Sequence, residues 1–208
     1  LTMAIGVGGS TISIELNRLS DMTKNISPIS ESEYKARILK AQALMAEQNI
    51  SAMYLDAGTN LHYFTGLKWY KSERLVGAIL PAQGELQFIA PHFEEGSLTD
   101  HMVIQGFFNG WHEHESPYDL FANILNNLDI SAGNIAIDES ASFFIFDGFR
   151  KAAPHLHYTN AADVTALCRQ IKSPAEIALM QRAKDMTIEV HIAAARILTP
   201  GITTIDVT

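Results

Sequence analysis

The sequence predicts a mixed α/β fold, one sheet of about six strands flanked by helices and followed by one long helix. Three observations carry this reading. Short apolar runs alternate with segments of helical period through the middle of the chain. Two of those runs, 75–80 and 86–90, are separated only by the turn-rich PAQGE and so form an antiparallel hairpin, whereas the others are separated by helices, as in crossovers. Hairpin and crossover together imply strands running in both directions. Finally, a helical seam near the C-terminus repeats for roughly 25 residues, or about 37 Å.

The elements follow in order. In SESEYKARILKAQALMAEQN, Ser30 and Glu33 have capping-box spacing, and Tyr34, Ile38, Ala41 and Met45 recur at helical period. Asn49 is a C-terminal stop, and the β-prone run 52–55 follows. In DAGTNLHYFTG, Thr59 or Asn60 caps a short helical turn that Gly66 ends. After the hairpin, residues 102–105 are expected to form a third strand of the same sheet. Ser116 before Pro117 starts a helix whose Phe121, Ile124, Leu125 and Leu128 share one face. Strand-like NIAID, helical SFFIFDGFRKAA and strand-like HLHYT follow, and DVTALCRQIK closes the domain. Ser173, Pro174 and Glu176 then supply an N-cap, a proline at the first helical position and a reciprocal glutamate. From there Leu179, Ala183, Met186, Val190, Ala194 and Ile197 form the seam, which TPG ends. An amphipathic helix gains most of its stability from packing, so a seam this long asks for more cover than the upstream sheet supplies. The chain therefore reads as an amino-terminal piece of a longer protein.

Composition narrows the function. The 208 residues are 47% hydrophobic and 18% charged, ordinary for a globular protein. Fifteen Lys and Arg against 23 Asp and Glu give a net charge of -8, a surface that repels phosphate backbones and argues against nucleic acid. No apolar run approaches the roughly 20 residues that span a bilayer. Cys168 is the only cysteine, which fits a reducing, cytoplasmic setting and a small buried residue on a short helix. Gly6, Gly8 and Gly9 are followed by neither a Lys-Ser/Thr pair nor the full dinucleotide spacing, so they read as a flexible or edge-packed N-terminus.

The order of motifs is more specific. ARILKAQALMAEQNISAMYLDAGTNLHYFTGL, SERLVGAILPAQGELQFIAP, WHEHESPYDLFANIL, NIAIDES, RQIKSPAEIALMQRA and ILTPGITTIDV together resemble the creatinase/prolidase/aminopeptidase P family of metallohydrolases. The resemblance implies an extension over 1–29, an N-terminal domain over 30–170, and over 171–208 a linker and the first helix of a truncated pita-bread catalytic domain. It implies an enzyme that cleaves proline-containing peptides before proline, with two divalent metal ions (manganese, cobalt or zinc) held by residues after PGIT. On that reading no catalytic or metal-binding residue falls within this chain, no metal is bound by it, and the fragment is inactive. Two other readings share the fold: a stand-alone interaction module without the catalytic half, and the N-terminal part of a creatinase-like amidinohydrolase that uses histidine instead of metal.

Several residues could still carry chemistry. His112 and His114 in WHEHES would point to one side of an extended segment, a possible ligand pair, but no further ligand at a recognised spacing completes a site, and a solvated loop is the simpler account. His191 reads as a packed or interdomain histidine, and His155 and His157 as alternate residues of an exposed strand face. No G-x-S-x-G elbow exists, and Cys168 has no identifiable basic partner. The segment NLHYFTGLKWYKSERL concentrates aromatic and charged side chains that a buried hairpin edge would not need. In the resembling family the N-terminal domain borders a catalytic mouth, often a partner subunit's. By that analogy His62, Trp69 and Arg74 are substrate-mouth or dimer-contact candidates, with a surface loop and ordinary subunit packing as the alternative, and the parent is expected to be a homodimer.

Overall fold

The computed structural model describes residues 6–208 and divides into two units, Ser30–Ile171 and Leu1–Ile29 with Lys172–Thr208. The larger unit is built on a six-stranded sheet of order β4-β3-β2-β1-β5-β6. Its strands are β1 (Ile50–Asp56), β2 (Gly77–Pro81), β3 (Gln87–Pro91), β4 (Phe107–Trp111), β5 (Asn134–Ile137) and β6 (His157–Asn160). β1, β2 and β3 pair antiparallel, whereas β1 with β5, β5 with β6 and β3 with β4 are parallel, giving the mixed sheet that hairpin and crossovers predict.

β2 and β3 are buried along their whole length and β1 along nearly all of it, as strands covered on both faces must be. On one face Ala52, Tyr54, Ile79, Ile89 and Ile135 meet α5 (Pro117–Asn127) and α6 (Phe143–Ala152). There Phe149 stacks on Phe121 with ring centres 3.7 Å apart and meets Tyr54 edge-on at 4.8 Å. The alternate residues of β1, Met53 and Leu55, face the other side. That side is covered by α2 (Glu31–Glu47), α3 (Thr59–Thr65) and α7 (Ala162–Arg169), which bury Ala41, Met45, Leu61, Phe64, Val164 and Cys168.

The caps follow local chemistry. The Ser30 hydroxyl accepts from Glu33 N, and the Ser116 hydroxyl accepts from Asp119 N ahead of Pro117. Gly66 ends α3 in the left-handed region (φ 77°), where a side chain would also run into Val103.

Residues 102–105 are not a strand. Met102 caps α4 (Glu95–His101), and Ile104 fills the core from a loop, its N–H bonded to Thr65 O. β4 lies later, in FFNGW, an edge strand whose Asn109 and Gly110 hide it from a propensity reading. The Asn109 amide bonds Phe88 O at 3.1 Å, tying this weak strand to β3. α4 and the 3-10 turn before it, His92–Glu94, also escaped the pattern reading.

The smaller unit holds α1 (Ile12–Arg18), α8 (Pro174–Ile197) and α9 (Thr204–Val207). α8 begins with the full Ser173/Glu176 capping box. Gly8 N–H bonds Ala195 O, and buried Glu15 accepts from Ser10 and pairs with Arg18 and Arg196. Of the seam, Ile197 is buried, Leu179, Met186 and Ala194 are half-buried, and Ala183 and Val190 are exposed. Ile177, Met180 and Ile188 beside it are exposed as well. No helix among the described residues is long and apolar enough to cross a membrane.

Candidate functional site

The aromatic and charged segment after β1 is held by a polar network at the carboxyl ends of β1 and β5. Parallel pairing sets these ends side by side, so Asp56, the last residue of β1, meets Asp138, the first after β5. Asp138 N–H donates to Tyr54 O at 2.9 Å, and Asp56 N–H donates to the Asp138 carboxylate at 3.2 Å. That carboxylate also accepts from Asn60 at 3.1 Å and from the Ser140 N–H and hydroxyl at 2.8 and 2.6 Å. The Asn60 amide reaches Glu139 at 3.0 Å, and its oxygen accepts from Arg169 at 2.7 Å. The Thr165 hydroxyl closes the network on Glu139 at 3.0 Å. Apart from one oxygen of Asp56, each buried carboxylate and amide acceptor here has a hydrogen-bond donor, which is what makes so polar a cluster tolerable.

Asp56 is only 2% exposed. One oxygen accepts from the Tyr54 hydroxyl at 3.0 Å; the other faces Lys71 Nζ at 3.2 Å as an ion pair without hydrogen-bond geometry. Burial pushes the Asp56 carboxyl above its ordinary range, although Tyr54 and the Lys71 charge pull it down. Burial likewise drives the Tyr54 phenol well above its usual value. Lys71 also donates to Ser140 O, so the middle of the loop between α3 and β2 is pinned to the sheet. At its start, Arg37 lies between the Tyr34 and Tyr63 rings, 5.1 and 4.2 Å from their centres, and donates to Tyr63 O and Glu33.

The three candidates from the sequence are set around these anchors, His62 before Tyr63, Trp69 between the two and Arg74 after Lys71. His62 is exposed on α3, and partial burial, then the charges of Lys68 and Arg37, lower its pKa. Trp69 is half-buried, and its neighbour Tyr70 is 75% exposed. Arg74 pairs with Glu73 and with Glu113 of WHEHES, 2.9 Å away, and lies over the Phe93 ring. Among the described residues no hydrogen bond, ion pair or ring contact links His62, Trp69 and Arg74 to one another; His62 lies on α3, and Trp69 and Arg74 at separate positions of the loop that follows it. Sequence reasoning missed Arg37, Asp56, Asp138 and Arg169, and took Asn60 for a possible cap and Lys71 for one charge of the segment rather than for anchors. The only available signal was the acidic residue ending each of two strand-like runs.

The remaining candidates are also placed. Trp111 is buried and donates to Leu75 O at 3.2 Å, while His112 and His114 are exposed on the loop before the Ser116 cap. His191 is not packed: it is exposed, with Nδ1 2.8 Å from Thr187 O one turn back. His155 falls in the turn before β6 and only His157 lies on the strand, so the pair does not alternate along one face. Cys168 is buried on α7, and burial raises its thiol pKa, the opposite of an activated nucleophile.

The sequence model of the creatinase/prolidase N-terminal domain matches residues 37–171, covering the sheet and every anchor of the loop. The chain belongs to the creatinase/prolidase N-terminal domain family. YkvY of Bacillus subtilis is 27% identical over 179 residues, 82% of this chain and 47% of that protein. A prolidase from Thermococcus sibiricus superposes with a TM-score of 0.72 at 25% identity, covering 81% of this chain and 44% of that one. The N-terminal domain of a Xaa-Pro dipeptidase from Lactobacillus brevis shares the fold at 17% identity (TM-score 0.57), covering 65% of this chain and 99% of that one. This member of the family thus spans about half the length of the full-length relatives it matches.

Proposed function

We propose that this creatinase/prolidase N-terminal domain is the non-catalytic part of a Xaa-Pro dipeptidase-like metallohydrolase, where it limits substrate access and contributes to homodimer assembly. The observation that carries the reading is the family match over residues 37–171, supported by the likeness to a prolidase structure. The anchored segment fits the role: Arg37 holds its start and Lys71 its middle, while His62, Trp69, Tyr70 and Arg74 remain for contact with a proline-containing peptide or a second subunit. The exposed Ile177, Met180 and Val190 of α8 suit a helix that packs further within a larger enzyme.

On this proposal a pair of divalent ions, manganese, cobalt or zinc, would supply an activated hydroxide in the catalytic half of a cytoplasmic parent. Among the described residues no three His, Cys, Asp or Glu side chains are placed to hold a metal together, and the proposal routes no catalytic step through them. The test is Arg74→Ala in the complete enzyme, with Xaa-Pro dipeptide kinetics and sedimentation velocity. A raised KM at constant kcat, or a weakened dimer, supports the proposal. Unchanged KM and unchanged assembly overturn it.

A further inference from the structure

We propose that His92 and His112 form a bis-imidazole site for a divalent transition-metal ion of the Zn2+ or Ni2+ type, with Glu115 and His114 at its edge. The site arises from strand register. β3 and β4 are parallel, and their last paired residues are Pro91 and Trp111. The next residue on each strand is a histidine, so two imidazoles twenty positions apart in sequence emerge from adjacent strand ends. Gly110 permits the approach, because a side chain there would lie 3.3 Å from His92 Cα and Cβ and 2.9 Å from the Phe108 ring.

The ring centres of His92 and His112 are 4.8 Å apart, tilted by 49°. With a metal–nitrogen bond of about 2.1 Å, two imidazoles on one ion have centres roughly 4.5 to 5.3 Å apart for ligand angles from a right angle to tetrahedral. The observed spacing falls inside that window. His92 Nδ1 lies 3.2 Å from Glu95 Oε2, the carboxylate–histidine arrangement that fixes a ring and leaves Nε2 for a metal. Glu115 accepts from His112 N–H at 2.8 Å, which holds its carboxylate among the imidazoles. His114 lies parallel to His112 with centres 5.7 Å apart.

All three histidines are exposed, and the His112 and His114 rings make no side-chain hydrogen bond among the described residues. The His112 and His114 rings can turn toward an ion arriving from solvent, while Glu95 holds the His92 ring. The two ring centres stand at ligand spacing, and among the described residues no third His, Cys, Asp or Glu side chain is placed with them, so the remaining positions go to water, or to Glu115 and His114 after rotation. Imidazole donors with a carboxylate suit zinc, nickel and copper rather than magnesium or calcium.

The experiment is isothermal titration of ZnCl2, and separately NiCl2, into the 208-residue chain, with circular dichroism confirming that each variant folds. The expected result is one saturable site at micromolar ion that weakens at least tenfold in His92→Ala and in His112→Ala. Glu95→Gln, which removes the orienting carboxylate, should weaken it about tenfold, at the low end for such partners. His155→Ala should leave it unchanged. The proposal is overturned if no saturable binding is seen, or if the His92→Ala/His112→Ala double variant titrates like the wild type.

Discussion

Lys71→Met tests whether the loop is pinned by the buried Asp56 carboxylate. Removing one partner of a buried ion pair costs about 3–5 kcal/mol when the remaining charge is fully enclosed. Asp56 meets that condition, but the Lys71 side chain is 37% exposed and its ammonium approaches at 3.2 Å without hydrogen-bond geometry. Water can take over part of its role, so the expected loss is about 2 kcal/mol, nearer the cost of one unsatisfied buried acceptor. For a unit of this size that lowers Tm by roughly 6–8 °C. Trp69 and Trp111, the two tryptophans of the chain, both lie in Ser30–Ile171, so tryptophan fluorescence in urea reads this unit.

The pH dependence is a second arm of the same test. Asp56 is already raised above 3.8 by burial, and without Lys71 it must rise further. A carboxyl raised on folding favours the folded state while protonated, and that contribution is lost as pH climbs through its folded pKa. The variant's deficit is therefore largest near neutrality and shrinks as the pH falls through the raised value. Asp56→Asn placed in the Lys71→Met background should recover about 1 kcal/mol by removing the stranded charge. A neutral-pH loss below about 0.5 kcal/mol, or a loss that does not change on acidification, would refute the pinning argument.

Other outcomes follow from single observations. Phe149→Ala empties a fully buried site between Phe121 and Tyr54 and should cost about 3–5 kcal/mol in urea unfolding. Gly77→Ala places a Cβ 2.4 Å from Leu55 O, a backbone atom that cannot turn aside, and should destabilise by about 1–3 kcal/mol in the same assay. The Ser10 hydroxyl, opposed by burial and helped by Arg18 and Arg196, keeps Glu15 below 4.5. Its contribution is present above that value and fades as pH falls through the folded pKa, so the stability difference between wild type and Glu15→Gln should vanish in acid. An NMR titration of Glu15 should show its midpoint rising in Ser10→Ala.

The helices with chemical start signals were legible because those signals are local. Ser30, Ser116 with Pro117, and Ser173 with Pro174 and Glu176 each satisfy backbone donors within three residues, and each caps the helix that sequence assigns to it. The β2–β3 hairpin was legible for the same reason. β4 was not, since an exposed edge strand containing Asn109 and Gly110 carries no pattern of its own and is defined by pairing with β3. Misplacing it at 102–105 also hid the neighbourhood of His92 and His112.

The sequence by itself determined which residues are apolar, where α2, α5 and α8 begin, and the ordered motifs that mark the family. Only tertiary structure decided which polar groups meet. Asp56 and Asp138 are 82 positions apart, and Asn60 and Arg169 are 109 apart. The first contact exists because parallel pairing of β1 with β5 brings two strand ends together, and the second because α3 and α7 cover the same face of the sheet; strand register is a property of the folded sheet rather than of any local stretch of chain.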